Sequence, residues 1–368
     1  MMILDTGRSG DVWTVAFHPD GKHLLSGHND MIRRWRFADG QEVRKQTGVE
    51  VFAISVSRNG KWIVCGTRKG ASVWDGELHE KIIDVEGTCE VWAVDVSPDS
   101  TWFATGTNGD ASIWSITNGA QLVGPLAHDS FVTGIRFSPT GEHIASACVG
   151  NYIRIFDSRT GDKLVGIDIV IPNGVGTPLA WSSDGQQIFA TSDDNRISSF
   201  NISTRSQLAE SQILHDGHHD ISSIVLAPNG KFIATLTRHS ISFLDTPTLT
   251  RIRPVIEDSK RLLSIAISPD GNHLANGRDD GKIVIRDLGK ILSDVYEFNV
   301  SICSISDNPH STTHPDKQCR YPLVRRYRNN LRNPGHSSPK DTTKMAMIFS
   351  RYQSVGFPLE PNSHNGIG

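Results

Sequence analysis

Three groups of residues in this 368-residue chain have types and spacing that could support chemistry. The segment HDGHHD places His215, His218 and His219 within five positions, a density of imidazoles that suits a zinc-type ion. Adjacent histidines on a loop point apart, however, so no converging ligand set and no metal are expected. The pairs Asp193-Asp194 and Asp279-Asp280 have the makings of an acid and base couple. Each sits in a tight turn, where aspartate caps backbone amides, and catalytic carboxylates are therefore not expected. The third group is YPLVRRYRNNLRNP, in which Arg325, Arg326, Arg328 and Arg332 are interleaved with Tyr321 and Tyr327. Cations and rings in that pattern suit RNA, anionic lipid or an acidic protein face. With no nucleic-acid module beside it, the plainer expectation is a solvated run in a flexible tail.

The elements that must position these residues follow from a repeat. The phrases VWTVAFHPDGKHLLSG, VFAISVSRNGKWIVCG, VWAVDVSPDSTWFATG and VTGIRFSPTGEHIASA begin at Val12, Val51, Val91 and Val132, and three fainter copies begin at Thr177, Ser222 and Leu262. With the third turn residue as a ruler, the copies fall at Gly21, Gly60, Ser100, Gly141, Gly185, Gly230 and Gly271, in steps of 39 to 45 residues. A second landmark follows 14 or 15 residues later, at Trp35, Trp74, Trp114, Phe156, Phe200, Leu244 and Arg286. β-Branched and aromatic runs on either side of Pro-Asp-Gly turns predict strands and hairpins, and a period near 40 predicts four-stranded blades. No helical apolar period is sustained.

Residues 1–300 are thus expected to form one all-β, seven-bladed propeller of four-stranded antiparallel blades. Residues 301–368, with seven of the 17 prolines and nine basic against four acidic residues, are expected to be a disordered basic tail. The formal net charge of −3 gives no overall reason to expect nucleic acid or membrane. Five cysteines without a C-x-x-C spacing point to free thiols in a reducing compartment, and no apolar run is long enough to span a bilayer. An intracellular protein is expected, with cytoplasm and nucleus both open. Two segments compete to close the ring, Met2–Asp5 before the first copy and KILSDVYEFNV after the last; the first stands where an outer strand belongs and is favoured.

The spacing, the Pro-Asp-Gly turns and the aromatic closing the third strand resemble WD-repeat propellers. Trp74-Asp75 is the one literal Trp-Asp pair, while Phe156-Asp157 keeps the acid and Gly217-His218 matches the family's Gly-His. The resemblance implies a hydrogen-bonded tetrad of His, Ser or Thr, Asp and Trp within a blade. No blade matches all four: Ser26, Thr105, Ser146 and Thr235 fit the hydroxyl, Asp194 and Asp280 the turn acid, with Asp30 and Asn108 looser fits. Structural roles are accordingly expected for Trp35, Trp74, Asp75, Trp114, Phe156, Asp157, His218, Asp194 and Asp280.

The resemblance also implies protein binding on the face built by loops leading into first strands and joining second to third strands. Trp13, Phe52 and Trp92 share one position in three consecutive copies, and Arg33, Arg68 and Arg238 lie near the same loops; these six are the candidate partner contacts. Asp95 and Arg136 occupy equivalent positions in neighbouring copies and are expected to meet across blades. The expectation is a non-catalytic scaffold, monomeric alone, without cofactor or small-molecule substrate. A recognition module of a signalling or ubiquitin-ligase-type assembly, and a propeller hydrolase or lyase, are the alternatives.

Overall fold

The computed structural model describes residues 1–293 apart from 8–9, 88, 149–151, 165–168, 171–178, 192–194 and 213–220. All of these lie in the first of two units, Met1–Ser301. The expected tail, and with it the Arg325 cluster, lies outside the described residues, as do His218 and Asp194.

Seven four-stranded antiparallel sheets form. Their first strands are Val12–Phe17, Val51–Val56, Ala93–Val96, Val132–Phe137, Leu179–Trp181, Ser223–Leu226 and Leu262–Ile267. Each first strand touches that of the next blade, and the seventh returns to the first, so the ring is closed. Alternation along a strand sends successive side chains to opposite sheet faces, and both faces of a blade meet a neighbour. The core is consequently divided into seven apolar clusters, each joining two adjacent blades.

Close approach at these seams explains one recurrent small residue. A Cβ added at Gly277 would lie 2.6 Å from the Val12 carbonyl oxygen, and at Gly66 2.6 Å from that of Val91. Either substitution would push the next blade away.

All seven ruler residues adopt the left-handed backbone region, from φ 63° at Ser100 to 79° at Gly141. In five blades a serine before the turn, Ser57, Ser97, Ser138, Ser182 or Ser268, accepts the N–H of the residue five positions on, at 2.9–3.1 Å. Three of these hydroxyls donate to the Asp two residues ahead and Ser57 donates to Asn59, which fixes the hairpin.

The clasp is Met2–Asp5. It pairs antiparallel with Lys282–Asp287, Leu4 opposite Ile283, and buries Leu4 between blades 7 and 1. The start of the competing segment differs from its strand-like reading, since Leu288–Leu292 is a short helix, and residues 294–300 of that segment lie outside the described residues. Asp287 caps the helix by accepting the Lys290 N–H at 3.1 Å, and Leu288 and Leu292 fill the seam between blades 6 and 7.

Candidate partner-binding face

The aromatic at the end of each third strand must place any indole N–H inside the blade, where an unmade hydrogen bond is costly. Trp35 donates to Ser26 Oγ at 2.9 Å, and that hydroxyl is 2.9 Å from His28 Nε2. The Ser26 hydroxyl accepts the indole N–H and so bridges the indole and the imidazole. Burial, then nearby Arg33, drives the His28 pKa down to about 4. Trp114 donates to Thr105 at 2.9 Å. Cys65 replaces the hydroxyl in blade 2, and Trp74 turns instead to Ser72 on its own strand, at 3.0 Å. Blade 4 keeps the other half of the motif: His128 contacts Ser146 at 2.7 Å and the Leu126 carbonyl at 2.7 Å, with Phe156 tilted beside its ring.

The acids after the aromatic cap the following turn. Asp75 accepts the His79 N–H at 2.6 Å, and Asp157 accepts those of Arg159 and Thr160 at 2.8 and 2.9 Å, bonds that hold the Asp157 carboxyl below its usual range. Asp280, a candidate tetrad acid, instead forms an ion pair with Arg278 at 2.5 Å.

Around the central channel Asp95 is bound from both sides. Its carboxylate takes the Phe137 N–H at 2.9 Å and the Ser55 hydroxyl at 3.3 Å, and lies 3.7 Å from Arg136 Nη1. Burial pushes its pKa up against those favourable partners. One side chain thus links blades 2, 3 and 4. Because Arg136 is half exposed, the pair contributes little net attraction.

At the loop face, Phe52 and Trp92 stack across blades 2 and 3 with centroids 4.9 Å apart, and Phe131 meets Trp92 edge-on at 6.2 Å. The indole of Trp92 donates to Asn108 Oδ1 at 2.6 Å, and that of Trp13 donates to Asn29. The asparagines hold one register position in the loop after the second strand. Arg68 stands there in blade 2, where Phe52 has no N–H to satisfy. Asn108 therefore serves the surface tryptophan, where the sequence placed it loosely in a tetrad. A polar chain continues from Asn108 to Glu90 at 3.1 Å, with Arg68 paired to Glu50 at 2.7 Å and 3.9 Å from Glu90.

Arg33 corrects the expected polar rim. It is buried in blade 1, paired with Glu42 at 2.5 Å and packed 5.6 Å from the Trp35 ring centroid, so no partner can reach it. Arg68 and Arg238 are exposed.

The sequence model described as "WD domain, G-beta repeat" matches residues 2–36, 80–115, 120–157 and 254–287. The crystal structure of the Cps50 (Swd1) β-propeller domain from Myceliophteria thermophila superposes with a TM-score of 0.66 at 19% identity, covering 76% of this chain and 96% of that one. The chain carries WD40 repeats and folds as a seven-bladed WD40 β-propeller. Each matched repeat starts on the outer strand that precedes its blade, and the first starts on the clasp. Blades 2, 5 and 6 contribute no complete match.

Among curated relatives, the tipD protein of Dictyostelium discoideum is 24% identical over 83% of this WD-repeat chain and 45% of its own length. An uncharacterized WD repeat-containing protein of Schizosaccharomyces pombe is 27% identical over 46% of this chain and 28% of its own. The small ribosomal subunit protein RACK1 of Medicago sativa is 33% identical over 22% of this chain and 25% of its own. The matches thus span less than half the length of these relatives. WD-repeat propellers of this kind are in general protein-interaction scaffolds.

Three features escaped the sequence reading. Phe131 sits two residues before the position that Phe52 and Trp92 share, so alignment by repeat position passes over it. His28 lies two residues after Ser26 on the same strand face, and strand alternation was the signal that could have found it. The Trp13–Asn29 and Trp92–Asn108 pairs recur at one separation of 16 residues, which comparing the copies would have revealed.

Proposed function

We propose that this WD-repeat protein is a non-catalytic scaffold that binds other proteins through the loop face carrying Trp13, Phe52, Trp92 and Phe131. The observation that supports this reading most directly is the contiguous Phe52–Trp92–Phe131 run across three blades, partly exposed and held in place by its own stacking and by Asn108. Large rings fixed before a partner arrives bury much area at little entropic cost, the property that makes aromatics dominant contacts. Arg68, Glu50 and Glu90 supply a polar rim beside them, and Arg238 extends it on blade 6. Three of the relatives are described as small ribosomal subunit proteins, which favours a role as one part of a multi-component assembly.

The test is quantitative mass spectrometry of proteins co-purifying with the intact chain and with a Trp13→Ala, Phe52→Ala, Trp92→Ala variant. Loss of the main partners, with the melting temperature retained, is expected. An unchanged partner set rejects the face.

A further inference from the structure

We infer that the outer edge of blade 3 is a second docking surface, which takes an apolar side chain from an extended, uncharged segment of a partner protein. It lies at the hairpin-turn end of the blades, opposite the loop face proposed above.

The site originates in one exchanged residue. Two positions past the third-strand landmark, the backbone N–H returns to the carbonyl that follows the first hairpin turn, which makes Ile116, Ser158, Ile202 and Leu288 equivalent in blades 3, 4, 5 and 7. Ile116, Ile202 and Leu288 are buried, and each fills the seam with the preceding blade. Blade 4 has a serine instead. Ser158 is short, its hydroxyl donates to the Gly141 carbonyl, and a cavity of about 480 Å³ lies between blades 3 and 4 at this position. That volume is within the range of ligand-binding clefts.

Blade 3 supplies the apolar wall through Trp102, Leu122 and Val123. Six of the eight tryptophans donate their indole N–H within the protein, whereas Trp62 and Trp102, which share a repeat position, have no acceptor among the described residues. Beside Trp62 the seam is closed by Ile116, and beside Trp102 it is open. Leu122 is presented by a bulge. Ile113 pairs with Val123 and Trp114 with Gln121, so Leu122 is the extra residue of its strand, and it is 46% exposed. Its strand, Gln121–Ala127, is the unpaired edge of the blade and carries no charge, whereas every other outer strand longer than two residues carries at least one. Charged side chains are a usual guard against strand-like partners, and this edge lacks them.

These features select one kind of occupant. An apolar side chain covers Trp102 and Leu122, and the main-chain carbonyl beside it accepts the indole N–H. The rim opposes charge of either sign, because Arg159 lines the cavity together with Asp99 and Glu142. Asp99 is further occupied by the Ser97 and Thr101 hydroxyls, at 2.6 and 2.8 Å.

The probe is a phage-displayed library of random dodecapeptides, selected on the full-length chain after depletion on its Ser158→Ile variant. That substitution installs the side chain blade 3 uses at the same position and closes the cavity. Selected peptides should share an apolar residue within an uncharged stretch. In anisotropy titrations, Ser158→Ile and Leu122→Asp should each weaken them tenfold or more, and Trp102→Phe, which keeps a ring and removes the N–H, about threefold to tenfold. Leu122 is exposed, so its variant keeps the test open if Ser158→Ile does not fold.

The Trp13→Ala, Phe52→Ala, Trp92→Ala variant should bind the selected peptides unchanged, which separates this edge from the loop face. In nitrogen-resolved NMR spectra, the indole signal missing from Trp102→Phe should shift when peptide is added. Failure to select any peptide, selection of acidic or basic motifs, or a Trp102 signal that does not move overturns the site. Peptides lost in the triple variant and retained by Leu122→Asp support the loop face and reject this edge.

Discussion

Blades 1 and 7 share a seam and the clasp, yet they fill the same interior positions with different chemistry. In blade 1 the third-strand aromatic Trp35 bonds Ser26, which bonds His28 at the strand end. In blade 7, by strand register, Arg286 stands for Trp35, Asn276 for Ser26 and Arg278 for His28. Arg286 donates to Asn276, and both arginines reach Asp258, at 3.4 and 3.5 Å. Asp258 precedes its first strand by the same interval that separates His128 from Val132 in blade 4. The comparison teaches that blades 1 and 7 both link third strand to second through polar groups, and that the fold leaves the identity of those groups open. One solution is neutral, the other ionic.

That difference gives the largest expected effect. Asp258→Ala leaves Arg278 and Arg286, 14% and 11% exposed, without their shared counter-charge. Breaking a buried ion pair from one side costs about 3–5 kcal/mol, and urea unfolding should register that loss. A change below about 1 kcal/mol would show that blade 7 needs no ionic link and would dissolve the contrast. Burial already lowers the Arg286 pKa, with Asp258 opposing, which is the balance this substitution removes.

The clasp comes next, because both blades depend on it. Leu4 is 2% exposed among Val12, Trp35, Ile283 and Ile285. Leu4→Ala should cost about 3 kcal/mol, and hydrogen exchange in Lys282–Asp287 should accelerate before that in blades 3 and 4. Uniform acceleration around the ring would mean that the seam is no weaker than the others.

The neutral solution contains an imidazole, which provides the third expectation. The folded pKa of His28 is depressed to about 4 from 6.5. Its stabilising contribution is therefore full above pH 6.5 and is lost as the pH falls toward 4, because the unfolded state takes up the proton first. A loss on the order of 2 kcal/mol between pH 7 and 4 is expected from this group, and His28→Gln should remove that part of the slope. If the variant keeps the wild-type pH profile, the imidazole is not the titrating element of blade 1.

Much of this architecture could be read from the residues, and the boundary has physical causes. Period and turn chemistry are local, so the seven ruler positions, the strand order and the Met2–Asp5 clasp followed from spacing alone. The fold class and the WD-repeat resemblance stand on the same features. Which groups pair across strands depends on register at single-residue resolution. The sequence therefore placed Arg33 on an exposed rim, although its guanidinium turns inward to Glu42 and Trp35. It also read residues 290–292 as the start of a strand, where the Asp287 cap and the apolar contacts of Leu288 and Leu292 favour a helical turn. On the candidate face, Trp13, Phe52 and Trp92 were visible as a column in the repeat. The flanking of Trp92 by a second ring was not, because Phe131 lies outside that column.

Blade 3 departs from its neighbours in a smaller way that tests the turn itself. Six ruler positions carry glycine and the seventh carries Ser100, whose φ of 63° costs a residue with a Cβ on the order of 1 kcal/mol. Its N–H still closes the turn on the Ser97 carbonyl at 2.8 Å, and Ser97 also anchors Asp99 at 2.6 Å, so the surrounding bonds impose the conformation. Ser100→Gly removes the strain but adds backbone freedom to the unfolded chain. The first effect is the larger at a left-handed position, so thermal unfolding should show a gain of about 0.5 kcal/mol. Gly60→Ser in blade 2, at φ 71°, should lose at least as much: an added Cβ there would lie 2.8 Å from the His18 ring. Equal and opposite changes would assign both to backbone strain alone, and a larger loss at Gly60 would measure the added clash with blade 1.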